Sequence, residues 1–385
     1  MESVSGPHYS VRVQKTICPA HVVDLVLRDH ITAHATKLQC SYCTHDGLAL
    51  PLELFMNAFM AGVYLHYEPT ISPDHDPTDV IEYGDVAQAI LEVAGITHRA
   101  LAADIVGALS VTPRWIPRDR RHGSPIEQLT YSWEAFKRIV KYEMRFFFAQ
   151  RPTGSGDSGD LTAEQLLQAV SDVGQQTQKV WPVPCPQPIF RARMARSHSE
   201  ASEWRTAGQL GSPPSEWAAP NRMSPAGISI FYGATDRATA IAEAGSHTSQ
   251  RYVVTGEFTP TRPTQLIDLT NLPELPSIFD AGRRAQYFGF QFLQKFVHDV
   301  TLPVELDGHE HIDYVPTQVF TEYLRYAFPG AVDGLMFPST QGPGHNLVMF
   351  FGPGSCADAG AETDRTRLRL DPDTVTVSRV MTVSR

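Results

Sequence analysis

Apolar residues recur at spacings of three and four through residues 129–148, LTYSWEAFKRIVKYEMRFFF. This period is typical of one face of an α-helix that packs on a core. The predicted buried stripe consists of Leu129, Trp133, Phe136, Val140, Met144 and Phe147. Two further helices are predicted at 85–95, which ends in a glycine, and at 162–180. Residues 48–150 are therefore expected to be mainly helical.

The pattern changes after the proline-rich stretch WPVPCPQP at 181–188. Short apolar runs that predict strands then dominate, namely IFRARM, ISIFYGA, RYVVTGEFTP, TQLIDLTNL, NLVMFFG and TVTVSRVMTV. Helical patterns interrupt them at 237–244, 284–298 and 316–327. Strands mixed with helices without regular alternation indicate an α+β fold rather than a doubly wound sheet. One short strand is also predicted near the N-terminus, in YSVRVQK.

These changes of pattern predict three domains, over residues 1–47, 48–180 and 186–385. Within the second, the stretch 151–160, RPTGSGDSGD, has the composition of a linker. It contains a G-x-G-x-x-G spacing, but the dinucleotide-binding motif requires a strand before it and a helix after it. Here an aromatic helix and a proline come before it. We therefore interpret the match, and the G-D-S-G within it, as part of a plain connection.

Composition and charge exclude several classes of protein. The chain has 385 residues, 42% hydrophobic residues and a formal net charge of −10. This hydrophobic content is sufficient for buried cores, and the negative charge argues against binding nucleic acid through bulk charge. No apolar run is long enough to span a bilayer, and the first residues do not resemble a signal peptide. Five cysteines, an odd number, make a disulfide framework unlikely on these grounds, so a reduced, cytoplasmic protein without membrane partners is expected.

Two pairs of metal-binding residue types stand near the N-terminus: Cys18 and His21, then Cys40 and Cys43. Each pair has a two-residue gap, which lets both side chains reach one ion from a tight turn. Three thiolates and one imidazole suit a four-coordinate structural Zn²⁺. His30 and His34, between the pairs, are alternatives to His21 as the fourth ligand. The other interpretation is three free thiols in a reducing compartment.

Arg222, Tyr232 and Glu243 follow one another at intervals of ten and eleven residues. Tyr232 is predicted to lie on a strand, on the same face as Ile228 and Ile230, while Phe231 points to the other face. Glu243 is predicted to lie on a short, alanine-rich helix. Taken singly, these are most often a surface arginine, a core tyrosine and an exposed glutamate. The question is whether they instead converge on one pocket.

The order of several segments along the chain favours convergence of these three residues on one pocket. IFRARM, NRMSPAGISIFYGA, TAIAEAG, YVPTQVFTEYLR, VDGLMFPST and NLVMFF, read in sequence, resemble the RES domain, a family of NAD⁺-consuming toxins of bacterial toxin–antitoxin systems. The resemblance covers roughly residues 186–355. The N-terminal half resembles the HEPN/RES N-terminal domain that is found fused to some RES domains. HEPN ribonucleases carry an Arg-x4–6-His signature, but Arg145 is followed by FFFAQR without a histidine, so ribonuclease activity is not expected.

The resemblance implies a fold like that of ADP-ribosyltransferases, preceded here by a zinc-bearing helical domain. It implies catalytic roles for four residues: Arg222 on the pyrophosphate or ribose, Tyr232 on the nicotinamide, Glu243 on the ribose hydroxyls, and Ser339, for which Thr340 and Ser355 are alternatives. It further implies NAD⁺-binding roles for Arg191, Arg193 and Asn346. NAD⁺ would be consumed as a substrate, with phosphate or water as acceptor, and a cognate antitoxin would be a partner.

The chemistry of that reaction fits these residue types. Cleavage of the nicotinamide–ribose bond builds positive charge at the ribose, as in glycosidic cleavage. A fixed carboxylate stabilises that charge, a guanidinium clamps phosphate oxygens, and an aromatic face attracts the charged pyridinium ring. Two alternatives remain open. One is ADP-ribosyl transfer to a macromolecule, although Ile241 stands where many transferases have a second Glu or Gln. The other is a zinc-bearing interaction protein that binds NAD⁺ without cleaving it.

Overall fold

In the computed structural model the chain is described over residues 8–44, 46–70, 76, 78–112, 114–118, 124–145, 161, 163–176, 183–246, 248–302, 308–328 and 330–380. It divides into two compact units, one made of 1–123 with 275–288 and the other of 124–274 with 289–385. The predicted linker at 151–160 lies outside the described residues. No helix in the described ranges is both long enough and apolar enough to cross a bilayer.

The first unit contains four helices and two small antiparallel sheets among its described residues. Its elements are β1 (Thr16–Ile17), α1 (Leu25–His34), β2 (Lys37–Gln39), β3 (Asp46–Pro51), α2 (Leu52–His66), β4 (Tyr67–Pro69), β5 (Ile81–Glu82), α3 (Tyr83–Ala94), α4 (Arg99–Leu109) and β6 (Arg114–Pro117). The sheet orders are β1-β3-β2 and β4-β6-β5. The expectation of a mainly helical region over 48–150 missed the second sheet, because strands of two to four residues carry no measurable period. The strand predicted in YSVRVQK is wrong, since β1 begins after it.

Helix α3 ends where the sequence predicted, at Gly95. This residue has a left-handed backbone, with φ of 66°, and its amide donates to carbonyl oxygens of the last turn. A Cβ at this position would lie 2.4 Å from Cβ of Val23. Glycine is therefore required twice, by the backbone angle and by the close approach of a neighbouring chain segment.

The second unit is an α+β domain, as predicted. Its elements are α5 (Pro125–Tyr142), α6 (Ala163–Gln176), β7 (Val183–Pro184), β8 (Ile189–Ala195), α7 (His198–Glu203), α8 (Ala207–Leu210), β9 (Phe231–Ala234), α9 (Arg237–Gly245), β10 (Tyr252–Pro260), β11 (Gln265–Asp268), α10 (Arg284–Thr301), α11 (Glu310–Asp313), α12 (Val315–Tyr326), β12 (Gly334–Pro338), β13 (His345–Met349), β14 (Cys356–Asp358) and β15 (Leu368–Arg379). The first residues of α10, up to Phe288, are counted with the first unit. The nine strands form one mixed sheet in the order β14-β15-β10-β8-β9-β13-β12-β11-β7. Only β11 with β12 and β14 with β15 pair in parallel.

Two apolar cores contact this sheet, and strand β9 contributes to both. Phe231 belongs to one core, while Ile230 and Tyr232 pack in the other. This alternation is the predicted one, since successive strand residues point to opposite faces. Ile228 departs from the prediction: it precedes the strand and is 36% exposed. The strand that carries Tyr232 is therefore shorter than its apolar sequence suggested.

Helix α5 confirms most of the helix predicted at 129–148. It begins four residues earlier, after a capping box. In this box the side chain of Ser124 accepts the backbone amide of Glu127, and the side chain of Glu127 accepts the backbone amide of Ser124. It ends at Tyr142, so Met144 lies beyond the helix, and Phe147 is outside the described residues. The buried part of the stripe is Leu129, Trp133, Phe136 and Val140. These side chains pack in the core that also contains Phe292 and Phe296 of α10.

Phe320 on α12 offers a test of this core. Its side chain is 1% exposed, and its ring centroid lies 4.3 Å from that of Phe296. Phe320→Ala is expected to lower the free energy of unfolding by about 3–5 kcal/mol, because the substitution removes a buried ring and leaves a cavity. Tyr326→Ala, on the same helix but 71% exposed, is the control and should change it by less than about 1 kcal/mol. Denaturant unfolding measures both, and equal effects would contradict the assigned packing.

Candidate functional site

Arg222, Tyr232 and Glu243 converge on one cavity in the second unit. The cavity has a volume of about 300 Å³, and Asn346 also lines it. Tyr232 comes from β9, Glu243 from α9 and Asn346 from β13, while Arg222 lies in the loop before β9. The spacing in the sequence thus corresponds to a strand and a helix that follow one another along one wall of a pocket.

Glu243 is held by two donors on the same carboxylate oxygen. Ser339 Oγ donates to Oε1 at 2.5 Å, and Asn346 Nδ2 donates to it at 2.8 Å. Among the described residues, no hydrogen bond is made to Oε2. The carboxylate is therefore oriented through one oxygen.

The hydroxyl of Ser339 has no bonding capacity left. Besides donating to Glu243, its oxygen accepts the backbone amides of Gln341 at 3.1 Å and Gly342 at 3.0 Å. A hydroxyl has one proton and two lone pairs, so all three are used. Ser339 is arranged to orient the carboxylate rather than to act as a nucleophile. The alternative candidates differ: Thr340 lines the cavity but makes no hydrogen bond to Glu243 among the described residues, and Ser355 ends a short 3-10 turn after β13.

The loop that carries Ser339 packs against the start of α9. Asp236 caps this helix by accepting from Thr239 N at 2.8 Å and from Thr239 Oγ1 at 2.7 Å. Gly344 N donates to Thr239 Oγ1 at 2.8 Å. A Cβ on Gly344 would lie 1.9 Å from Asp236 Oδ2, and one on Gly342 would lie 2.6 Å from Thr239 Cα. Both glycines allow a close approach that a side chain would prevent.

Arg222 is fixed by the end of a helix. Its guanidinium donates to the carbonyl oxygen of Asp299 at 3.2 Å and to that of Leu302. Asp299 lies in the last turn of α10 and Leu302 directly follows the helix. Carbonyl groups at a helix C-terminus lack partners within the helix and carry partial negative charge. Burial lowers the pKa of Arg222, and Tyr314 and Glu243 nearby oppose that shift. The group stays a cation, because an arginine side chain ionises far above neutral pH.

The backbone around Arg222 is held by α12. Thr317 Oγ1 donates to the carbonyl of Arg222, and Gln318 Nε2 donates to the carbonyls of Asn221 at 2.7 Å and Ser224 at 3.2 Å. Asn221 Oδ1 in turn accepts the amides of Met223 and Ser224. The loop is thus stabilised within itself by the Asn221 side chain and is hydrogen-bonded to α12 through Thr317 and Gln318.

Tyr232 has a buried hydroxyl with no hydrogen bond of normal geometry to any described residue. Burial raises its pKa far above the ordinary value, while the nearby Met223 amide and Ser224 lower it to a smaller extent. The phenol is therefore neutral at physiological pH. Its ring packs against the core on the α5 side of the sheet.

The two arginines predicted to bind NAD⁺ are placed differently. Arg191 lines the cavity, but its guanidinium donates to the carbonyls of Leu210 and Tyr232. Burial lowers the pKa of Arg191 to about 10. Arg193 is exposed, does not line the cavity, and lies over the ring of Trp204 at 4.5 Å. Among these predicted binding residues, Arg191 and Asn346 are brought to the cavity and Arg193 is not.

Several residues around the cavity were not singled out from the sequence. Tyr314 and Gln341 line it, together with Asn221. One signal was present for α12: the polar residues Thr317, Gln318 and Thr321 occupy its buried face, each less than 9% exposed. Polar side chains at core positions need partners, and here they hold the Arg222 loop or their own helix. No such pattern marked Tyr314 or Gln341.

A second cluster lies in the first unit, where the structure brings together the predicted metal ligands. The ligand atoms of Cys18, His21, Cys40 and Cys43 all lie within 4.8 Å of one another. His30 and His34, the alternative ligands, stack on each other along α1 and are not part of this group. Four converging donors of this kind could hold a metal ion.

The chemistry of the cluster fits a metal. His21 Nε2 is buried with no hydrogen-bond partner among the described residues, which is costly for a polar atom unless something else satisfies it. Cys18 Sγ and Cys43 Sγ are 3.7 Å apart. Two thiolates bound to one tetrahedral zinc at about 2.3 Å each would be about 3.8 Å apart. Burial and the neighbouring His98 lower the pKa of His21, which favours the neutral imidazole.

The fold and the cavity define an α+β protein whose pocket combines an arginine, a tyrosine and a hydrogen-bonded glutamate. Comparison with known families identifies the two halves: residues 188–371 match the RES domain, and residues 33–153 match the HEPN/RES N-terminal domain 1. The chain belongs to the RES-domain proteins that carry this N-terminal domain. A search among curated proteins found no match.

One solved structure is similar, that of the M. tuberculosis MbcT–MbcA toxin–antitoxin complex. The similarity covers 55% of this chain and 92% of the other, with 10% sequence identity and a TM-score of 0.28.

Gly344 offers a test of how the Ser339 loop is seated. Gly344→Ala is expected to destabilise the protein by about 1–3 kcal/mol, because the new methyl group would overlap the side chain of Asp236, which caps α9. Gly354→Ala is the matched control, since a Cβ there would meet nothing within 4 Å. Thermal unfolding of both variants compares them. A Gly344→Ala protein as stable as the control would contradict the seating described above.

Proposed function

We propose that this protein cleaves the nicotinamide–ribose bond of NAD⁺. The observation that carries the proposal is the convergence of Arg222, Tyr232 and Glu243 on one cavity, with Glu243 held through a single oxygen. Membership of the RES-domain family supports it. The reaction would proceed by loss of nicotinamide, through a ribose with oxocarbenium character, to capture by phosphate or water.

Each side chain has a role that its surroundings support. Glu243 would stabilise the developing ribose charge through Oε2, and the donors on Oε1 would keep the carboxylate from rotating. Arg222 has five N–H donors, and the two contacts to α10 leave others for a phosphate or ribose oxygen. Tyr232, neutral and partly buried, would present its ring to the nicotinamide.

The acceptor distinguishes the proposed reaction from its alternative. Ile241 lies two residues before Glu243 on α9 and lacks the polar group that would position a macromolecular acceptor. Its apolar side chain therefore favours phosphate or water as the acceptor. Mass analysis of products formed with and without phosphate separates phosphorolysis from hydrolysis. Labelled ADP-ribose on protein or nucleic acid would instead support a transferase, and binding of NAD⁺ without its loss would support a non-catalytic sensor.

Consumption of NAD⁺ would make the protein toxic to a cell that produces it, and we propose that it acts as the toxin of a toxin–antitoxin pair. Induced expression in a bacterial host should lower cellular NAD⁺ and stop growth. The Glu243→Gln protein, made at the same level, should do neither. A protein partner that restores growth by binding would be the antitoxin.

Glu243→Gln is expected to lower kcat about 10²–10³-fold, because the amide keeps the shape of the side chain but not its charge. Binding of NAD⁺ should change much less, since the carboxylate acts mainly in the transition state. Glu203→Gln, at an exposed glutamate on α7, is the control and should have the parent activity. A folded Glu243→Gln protein that consumes NAD⁺ at the parent rate would refute the assignment.

Arg222→Ala should affect binding as well as turnover. The guanidinium would contact oxygens of NAD⁺ in the ground state, so its loss is expected to weaken NAD⁺ binding by roughly tenfold or more. Isothermal titration with the Glu243→Gln protein, which should bind without turnover, gives the reference affinity. Unchanged affinity in the Glu243→Gln, Arg222→Ala double variant would exclude a phosphate-binding role.

For the cysteine–histidine cluster we propose a structural Zn²⁺. We expect about one zinc per chain in protein purified without chelators, measured by elemental analysis. Cys43→Ser should lower both the zinc content and the thermal stability, because binding of such a metal is coupled to folding. Cys356→Ser, outside the cluster, should leave the zinc content unchanged. Metal-free parent protein with normal stability would contradict the proposal.

A further inference from the structure

A charged cluster connects α5 with the C-terminal end of α10. Asp299 Oδ2 accepts from Trp133 Nε1 at 2.8 Å and from Lys137 Nζ at 2.7 Å. The side chain of Asp299 is 17% exposed and that of Lys137 is 24% exposed, so water screens this pair only in part. Glu134 adds a second link, since it pairs with Lys137 at 3.0 Å and with Lys295 of α10 at 2.7 Å.

The same residue contacts the candidate site through its backbone. The carbonyl of Asp299 accepts from Arg222, and Leu302, three residues on, provides the other carbonyl. The orientation of these two carbonyls depends on where the last turn of α10 lies. That turn is anchored through the Asp299 side chain, which points to α5 while the carbonyl points to Arg222.

We infer that α5 positions Arg222, through Trp133 and Lys137 acting on Asp299. The inference rests on the proposed function, because it assigns a supporting role at that site. Residues 33–153, which match the HEPN/RES N-terminal domain, include α5. The N-terminal family segment therefore supplies part of the frame of the RES-domain cavity. Trp133, Lys137 and Asp299 are positioning residues and do not touch the cavity themselves.

The protonation of the cluster is consistent with this role. Burial acts to raise the pKa of Asp299, but the hydrogen bonds from Lys137 and Trp133 outweigh it, and the pKa is lowered. Burial acts to lower the pKa of Lys137, and Asp299 and Glu134 outweigh it in the same way, so that pKa is raised. Both groups are charged at neutral pH, and the link between the helices is an ion pair.

The test uses full-length protein carrying Glu243→Gln, so that NAD⁺ is bound without being consumed. Asp299→Ala and Trp133→Phe are each introduced with Arg222 present and again with Arg222→Ala, and the Kd for NAD⁺ is measured by calorimetry. Each is expected to weaken binding, by roughly tenfold for Asp299→Ala, when Arg222 is present, and to have no effect when it is absent. Asp299→Asn, which keeps an acceptor for Trp133, should recover part of the affinity.

One control variant separates positioning from general stability. Arg138→Met breaks an exposed ion pair of the same helix, with Glu143, and should leave the Kd unchanged. The inference would be overturned if Asp299→Ala weakened NAD⁺ binding equally with Arg222 present and with Arg222→Ala. It would also be overturned if Asp299→Ala caused no loss of affinity.

A readout without NAD⁺ keeps the inference distinct from the proposed function. If no variant binds NAD⁺, the proposed function fails, and NMR of the Arg222 Nε–H in the ligand-free protein decides the inference alone. An unchanged Arg222 signal in the folded Asp299→Ala protein would overturn it. A signal broadened or shifted there, but not in Arg138→Met, would uphold it.

Discussion

The hydrogen bonds on Oε1 of Glu243 are the contacts on which the candidate site depends. They join three separate parts of the chain: α9, the loop after β12, and β13. A carboxylate on a short, half-exposed helix would otherwise rotate among several rotamers. With Ser339 and Asn346 in place it has one orientation, and the glycines of the Ser339 loop permit the approach that makes this possible.

The sequence predicted the parts of this arrangement that follow from local pattern. The alternation of Ile230, Phe231 and Tyr232 and the stripe on α5 follow from the side-chain period of a strand and of a helix. The end of α3 at Gly95 follows from the backbone freedom of glycine. The intervals of ten and eleven residues between Arg222, Tyr232 and Glu243 were informative only through the resemblance to the RES domain. Naming Ser339 together with Glu243 needed the resemblance to a family, and their hydrogen bond was not predicted.

Other features had no local signal. Arg193 and Arg191 are two residues apart on the same strand and looked equivalent, yet the first stacks on Trp204 and the second reaches the cavity. The sheet formed by β4, β5 and β6 arises from pairing between strands distant in sequence. The apolar stripe of α5 showed that the helix has a buried face but not which core receives it. In each case the deciding contact is long-range, and a single sequence does not record its partner.

Gln318 has a thermodynamic consequence beyond its two hydrogen bonds. Because it closes the loop from Asn221 to Ser224 from a buried position on α12, the conformational entropy of that loop is lost when the chain folds. A ligand that contacts Arg222 then meets a backbone that is already ordered. The ordering of a free loop, about 1–2 kcal/mol for each residue fixed, is absent from the free energy of association. A residue that never contacts the ligand thereby contributes to its affinity through the unbound state.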